Sequence, residues 1–164
     1  MIEKTFPITE QLVINALQLA TELLGELNRE AESLKNTQES EVINNIAATK
    51  RQLALQLEQF NGQLTQVLAT ENLLNDQESI KEYFKRGEAA GLKISETVGN
   101  WVQLMLVCGE CRNLNEQNGA GIELLSRHTK RSLDILKGKS EFSNTYGADG
   151  STQSDKSTHR LISV

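Results

Sequence analysis

Cys108 and Cys111 are the residues of this 164-residue chain whose type and spacing come closest to a chemical site. A Cys-x-x-Cys pair does redox chemistry at the start of a helix that follows a strand, and it binds zinc when a second ligand pair accompanies it. The sequence offers neither context, because the pair falls inside a helical pattern and the chain has no other cysteine. We therefore expect two small, reduced, half-buried side chains that pack on one helix face.

Two histidines and one Gly-Lys-Ser tripeptide give weaker signals. His128 resembles a phosphoacceptor histidine on a helical bundle, but Lys130 is followed by Arg131 rather than by glycine, and this basic surrounding indicates a solvated face. The tripeptide at 138–140 lacks the strand and the first glycine of a phosphate-binding loop. His159 has no partner, and no Glu-x-x-His pair occurs. We expect no enzymatic activity, no metal site and no cofactor.

Charge and hydropathy restrict the classes of partner. The 17 Lys and Arg residues against 22 Asp and Glu residues give a net charge of −5, which is opposite to the basic footprint of a nucleic-acid-binding protein. The longest nearly apolar stretch, 101–108, is far shorter than the roughly 20 residues of a membrane span. The N-terminus has no basic region leading into an apolar one, as a signal peptide would. We expect a cytoplasmic protein that binds neither nucleic acid nor membrane.

The composition favours long helices packed side by side. Hydrophobic residues make up 38% of the chain but aromatic residues only 4%, and Pro7 is its single proline. A sandwich or an α/β domain needs a turn at each chain reversal, yet residues 8–60 contain only Gly25 as a breaker. The sequence therefore predicts one all-α domain, an elongated antiparallel three-helix bundle or coiled coil.

The first two predicted helices run from about Ile8 to Leu34 and from about Thr37 to Leu68. Asn36 and Glu39 have the spacing of a capping box for the second helix. The first helix carries an apolar stripe at alternating spacings of three and four: Val13, Leu17, Ala20, Leu24, Leu27, Ala31 and Leu34. The second carries a heptad pattern: Ile43, Lys50, Leu57 and Leu64 at one position, Ile46, Leu53, Phe60 and Val67 at the other.

Lys50 is the single polar residue of that heptad pattern. A lysine at such a position can fix the helix register, or it can lie along the groove with its ammonium group in water. We favour the second interpretation, because the four-carbon stem can pack along the groove while the ammonium group stays hydrated.

Residues 71–95 lack continuous helical periodicity, and they predict a connector that closes one end of the bundle. Ser79 with Glu82 suggests the cap of a short helix that carries Ile80, Tyr83 and Phe84. We interpret Tyr83 and Phe84 as a plug for the core rather than as a ligand site.

The third predicted helix begins at about Ser95 and ends at Gly138. It spans about 43 residues, or about 64 Å, against about 27 residues and about 40 Å for the first helix. Asn115 and Asn118 occupy positions where apolar residues are expected, so a polar layer there marks where the internal contact ends. Its apolar stripe includes Trp101, Leu104, Cys108, Cys111, Ile122, Leu125, Leu133 and Leu136.

This difference in length predicts that residues 122–136 project past the reversal of the other helices. Ile122, Leu125, Leu133 and Leu136 would then have no partner within the chain, and a helix of another protein could cover them. The alternative is that these turns fold back on the connector or pair in a homodimer, because apolar stripes are usually covered.

The last part of the chain changes in character at residue 138. Residues 138–164 are rich in Ser, Thr, Gly, Asp and Asn and lack helical periodicity, which predicts a disordered tail after a helical bundle domain at 1–137. Tyr146 is an isolated aromatic residue there and is a candidate for a short linear motif, although composition alone favours an incidental residue.

Ordered motifs in the last third of the chain point to a known family. They are Leu114-Asn115-Glu116-Gln117-Asn118-Gly119, Leu133-Asp134-Ile135-Leu136, Tyr146-Gly147-Ala148-Asp149-Gly150, and Arg160 with Ile162-Ser163-Val164. In this succession, and more weakly in helix two, the chain resembles the FlgN family of flagellar export chaperones.

The resemblance implies a cytosolic chaperone, not an enzyme, that holds the hook-associated proteins FlgK and FlgL before export. It implies that Tyr146 and Gly147 contact the cytosolic domain of the membrane export gate. It implies client contacts at five positions of the third helix: Ile122, Leu125, Thr129, Leu133 and Leu136.

Two other hypotheses remain at this point. One is a structural homodimeric coiled-coil adaptor without a client, since the sequence is compatible with a monomer or a weak homodimer. The other is a phosphorelay domain that uses His128.

Overall fold

The computed structural model describes residues 1–36 and 40–136. Four helices form in this part of the chain: α1 (Ile2–Lys35), α2 (Ser40–Thr70), α3 (Gln77–Ala89) and α4 (Ser95–Leu136). The described residues contain no strand, which confirms the all-α prediction. No helix in this part is long and apolar enough to cross a membrane. The chain divides into two compact units, one of residues 1–119 and one that begins at residue 120.

α1 begins at Ile2, six residues before the predicted start at Ile8. The prediction was wrong because it placed Pro7 ahead of the helix, and a proline in a helix interior removes one backbone hydrogen bond. In the structure Pro7 is exposed within the second turn. Ile2 and Phe6 are 9% and 5% exposed in the core cluster at this end, so their burial offsets the cost of the proline.

α1 and α2 run antiparallel, as predicted. Near the start of α1, the Thr5 hydroxyl donates to the carboxylate of Glu71, which follows the end of α2, at 2.8 Å. Near the other end, Glu30 of α1 meets Lys50 of α2 at 2.8 Å. All eight positions of the α2 heptad pattern are buried or half-buried, which confirms the periodicity read from the sequence.

α4 runs parallel to α1 within the first unit. The Thr97 hydroxyl lies 3.5 Å from the Glu10 carboxylate, and the Asn118 amide donates to the Leu27 carbonyl oxygen at 2.9 Å. α4 begins at Ser95 as predicted. A second core cluster joins the two helices: Ala16, Ala20, Leu27, Leu104, Val107 and Cys111.

α3 closes the end of the bundle where α1 begins, and the predicted aromatic plug is confirmed. Tyr83 is 1% exposed and Phe84 is 8% exposed, and their rings meet edge to face with centroids 5.9 Å apart. The Tyr83 hydroxyl satisfies its hydrogen-bonding needs inside the core, 2.8 Å from the Thr9 hydroxyl and 3.2 Å from that of Thr5.

The cap of α3 differs from the sequence prediction. The N-cap residue is Asp76, three residues before the predicted cap, and its carboxylate accepts the Ser79 backbone N–H at 2.8 Å. Asp76 stands just before the first turn, where its carboxylate oxygens reach the unpaired backbone N–H groups of that turn. Ser79 already lies inside the first turn and cannot do this. The hydrogen bond from the Ser79 backbone N–H, followed by that from the Ser79 side chain, holds the pKa of Asp76 below its usual range.

Two glycines explain why the pattern of residues 71–95 is irregular. Gly87 lies against the core, where a Cβ atom would stand 3.1 Å from the Ile94 side chain and 3.6 Å from that of Phe6. Gly91 has a φ of +76° in the turn after α3, a conformation that favours glycine. Of the capping box predicted at Asn36 and Glu39, Glu39 lies outside the described residues. α2 begins at Ser40.

Candidate protein-binding surface

Several large apolar side chains are exposed in the C-terminal part of α4. Thr129 lies in the same helix, although its side chain lies outside the described residues. At the other four predicted client-binding positions the exposed fractions are 40% for Ile122, 38% for Leu125, 47% for Leu133 and 82% for Leu136. We call these four side chains the α4 apolar face.

Helical spacing places the α4 apolar face on one side of the helix. At about 100° per residue, the separations of 3, 8 and 3 residues place the four side chains within an arc of about 80°. Leu124, which is 56% exposed, points to a different side, roughly 140° away at about 100° per residue. An apolar stripe confined to one side of a helix is the pattern that another helix or groove recognises.

The sides of α4 that lie away from the α4 apolar face carry exposed charged residues. Glu123 and Arg127 form an ion pair one turn apart, and both side chains are largely exposed. Lys130 and Arg131 are also exposed. An apolar stripe on one side of a helix and charged residues on the other sides make this segment amphipathic.

A buried polar cluster lies in the first unit, at the position where the sequence predicted a polar layer. The Asn118 amide, 4% exposed, donates to the Leu27 carbonyl oxygen and to a carboxylate oxygen of Glu30, each at 2.9 Å. The Lys50 ammonium group donates to the same carboxylate at 2.8 and 3.0 Å and to the Asn115 side-chain oxygen at 3.1 Å. This polar cluster joins α1, α2 and α4.

The prediction that the Lys50 ammonium group lies in water is wrong. The Lys50 side chain is 19% exposed and pairs with a Glu30 side chain that is 2% exposed. A buried carboxylate is costly without a cation and hydrogen-bond donors, and Lys50 with Asn118 supplies both. The prediction failed because Glu30 lies just beside the apolar stripe of the first helix, and the sequence does not show that it turns inward.

The cysteines pack as predicted. Cys111 is buried, Cys108 is half-buried, and both are free thiols. Burial, helped by Cys108 and Glu110, raises the pKa of Cys111 to about 11, and burial also raises the pKa of Cys108. Both thiols are therefore protonated at neutral pH, whereas nucleophilic chemistry needs the thiolate.

Within the part of the chain that the structure describes, no group of three or more His, Cys, Asp and Glu residues is arranged to hold a metal ion. The predicted gate-binding residues Tyr146 and Gly147 and the side chain of His128 lie outside the described residues. Among the described residues, the α4 apolar face is the predicted site that remains, and it could bind a partner by burying apolar area.

The structure also exposes apolar side chains that the sequence analysis did not single out. Val102, Met105 and Leu106 are 53%, 45% and 59% exposed on α4, beside α3. They were missed because the stretch 101–108 is apolar on every side of the helix, so its periodicity does not distinguish the buried face from the exposed one.

In the part of the chain that the structure describes, a helical bundle with an exposed apolar stripe on one helix fits the helix-in-groove mode of protein recognition. Residues 5–154 match the FlgN protein family, and the chain therefore belongs to that family, whose members are flagellar export chaperones. The family binds hook-associated proteins of the flagellum. No curated protein and no solved structure matched the chain.

Proposed function

We propose that this chain is a cytoplasmic chaperone that binds FlgK and FlgL before export and delivers them to the cytosolic domain of the export gate. The observation that carries the proposal is the α4 apolar face, which is exposed in a chain of the FlgN family. A terminal helix of the client lies along this face and covers it. Because the client helix is then occupied, it cannot assemble with other axial proteins before export.

Burial of the α4 apolar face supplies part of the affinity for a client. Burying four fully exposed side chains of this kind contributes about 6 to 12 kcal/mol, at about 1.5 to 3 kcal/mol each. Because these four are only 38% to 82% exposed in the free chain, the gain is roughly half of that, about 3 to 6 kcal/mol before the costs of association. Association costs several kcal/mol in lost translational and rotational freedom. A micromolar complex corresponds to about 8 kcal/mol net, so contacts outside the α4 apolar face must add to this burial.

The proposal predicts a monomer that forms a one-to-one complex with each client. Light scattering on the purified chain, alone and with FlgK or FlgL, measures both masses directly. The competing proposal is the homodimeric coiled-coil adaptor, in which a second copy covers the same face. A stable dimer that binds neither client would establish that alternative and reject the chaperone.

The tail is proposed to contact the export gate through Tyr146 and Gly147. Tyr146→Ala is expected to weaken binding to the cytosolic domain of the gate at least 10-fold, because an aromatic residue often dominates a short motif. Client affinity should stay within twofold of wild type. Calorimetry with each partner makes the comparison, and Phe142→Ala removes a tail aromatic outside the motif as the matched control. Loss of client binding in Tyr146→Ala would mean that the tail holds the client.

A further inference from the structure

A groove between α2 and α4, with α1 as its floor, lies entirely among residues of the first unit. Its volume is about 580 Å³. Along α2 it extends from Ala47 to Leu57, about 15 Å or three helical turns. We call it the α2–α4 groove.

Small side chains create the α2–α4 groove. Three alanines and both cysteines line it: Ala20, Ala47, Ala54, Cys108 and Cys111. Small residues allow the backbone of another helix to approach closely, while Leu23 of α1 and Leu57 of α2 provide larger apolar contacts.

The charge of the α2–α4 groove is opposite to that of the chain. Arg51 on the α2 side and Arg112 on the α4 side are exposed and line it, and no Asp or Glu of residues 1–36 and 40–136 does. Lys50 also lines the groove, but Glu30 already neutralises it. Neither arginine forms an ion pair within the described part of the chain. The groove therefore carries two positive charges, one on each wall, although the whole chain has a net charge of −5.

We propose that the α2–α4 groove binds an amphipathic helix of a protein partner whose apolar stripe is flanked by acidic residues on both sides. The apolar floor receives the stripe, and each arginine pairs with a carboxylate on its own side. A fatty acid has one carboxylate and satisfies one wall, so the charges favour a helix. This interaction goes beyond the proposed function because it uses residues of the first unit rather than the α4 apolar face.

The test uses two synthetic helical peptides of 18 residues with the same leucine stripe, one flanked by glutamates and one by lysines. Fluorescence anisotropy with the full chain should show micromolar binding of the glutamate peptide and at least 10-fold weaker binding of the lysine peptide. In the double variant Arg51→Glu with Arg112→Glu, this preference should reverse. Equal binding of the two peptides, or an unchanged preference in the variant, would overturn the proposal.

A second variant tests the position of the site. Ala54→Phe fills the groove from an exposed position and should abolish binding of the glutamate peptide, whereas Ala48→Phe, exposed on the same helix outside the groove, should not. Thermal melting confirms that both variants fold. Binding that survives Ala54→Phe contradicts the proposal, as does direct binding of dodecanoate with no binding of either peptide. A dimer of the chain that Ala54→Phe dissociates would assign the groove to a second copy and overturn it as well.

The two proposals fail separately. Replacing Ile122, Leu133 and Leu136 with alanine removes most of the α4 apolar face but should leave the affinity for the glutamate peptide within twofold. If that variant loses the peptide, the peptide binds at the α4 apolar face and the groove proposal is wrong. Loss of client binding with peptide binding retained would leave the groove proposal in place.

Discussion

Replacing Lys50 with methionine is expected to lower the free energy of unfolding by about 3 kcal/mol, at the lower end of the range for breaking a buried ion pair. The substitution leaves the Glu30 carboxylate, 2% exposed in its side chain, without its cation. Asn118 still donates one hydrogen bond to that carboxylate, so the loss stays at the lower end. Urea unfolding followed by circular dichroism measures the change.

The reason for this loss is tested by a second substitution and a matched control. Combining Lys50→Met with Glu30→Leu should restore most of the stability, because replacing both partners of a buried pair with apolar residues is often neutral. Lys35→Met makes the same change in an exposed pair with Glu32 and should cost less than about 0.5 kcal/mol. If Lys50→Met costs no more than Lys35→Met, the polar cluster does not stabilise the bundle as described.

Replacing Ile122, Leu133 and Leu136 together with alanine is expected to weaken client binding at least 100-fold. Each truncation at the centre of an interface removes about 1 to 2 kcal/mol. All three side chains are at least 40% exposed in the free chain, and alanine is a good helix former. The melting temperature should therefore change little, and titration calorimetry with FlgK or FlgL gives the affinity.

Leu124→Ala is the matched control for this result. It truncates an exposed leucine of the same helix segment, but on a different side, so client affinity should stay within about threefold. Equal losses in Leu124→Ala and in the triple variant would show that the client does not distinguish the sides of α4. An unchanged affinity in the triple variant would place the client elsewhere on the chain.

The sequence predicted the helices well wherever periodicity decides the structure. The heptad pattern of α2 and the start of α4 at Ser95 follow from the repeated burial of one helix face. The start of α1 was missed because proline is disfavoured inside a helix, so the sequence suggested that the helix begins after Pro7. Burial of Ile2 and Phe6 against α2 and α3 instead extends the helix back to Ile2. Tertiary packing overrides a local signal there.

The candidate binding surfaces show the same limit. The exposure of the α4 apolar face was predicted from the spacing of its residues along one helix and from the length of that helix. The α2–α4 groove and the partner of Lys50 depend on which residues three separate helices bring together, and Glu30 and Lys50 are 20 positions apart in sequence. Periodicity within one helix does not contain that information.

Hydrogen exchange of the chain with and without FlgK tests most directly whether α4 holds the client. Complex formation should slow exchange of the backbone amides of residues 120–136 at least 10-fold, because the bound client suppresses local opening of this part of the helix. Unchanged exchange at 120–136, with slowing only in the first unit, would contradict the proposal that this segment holds the client.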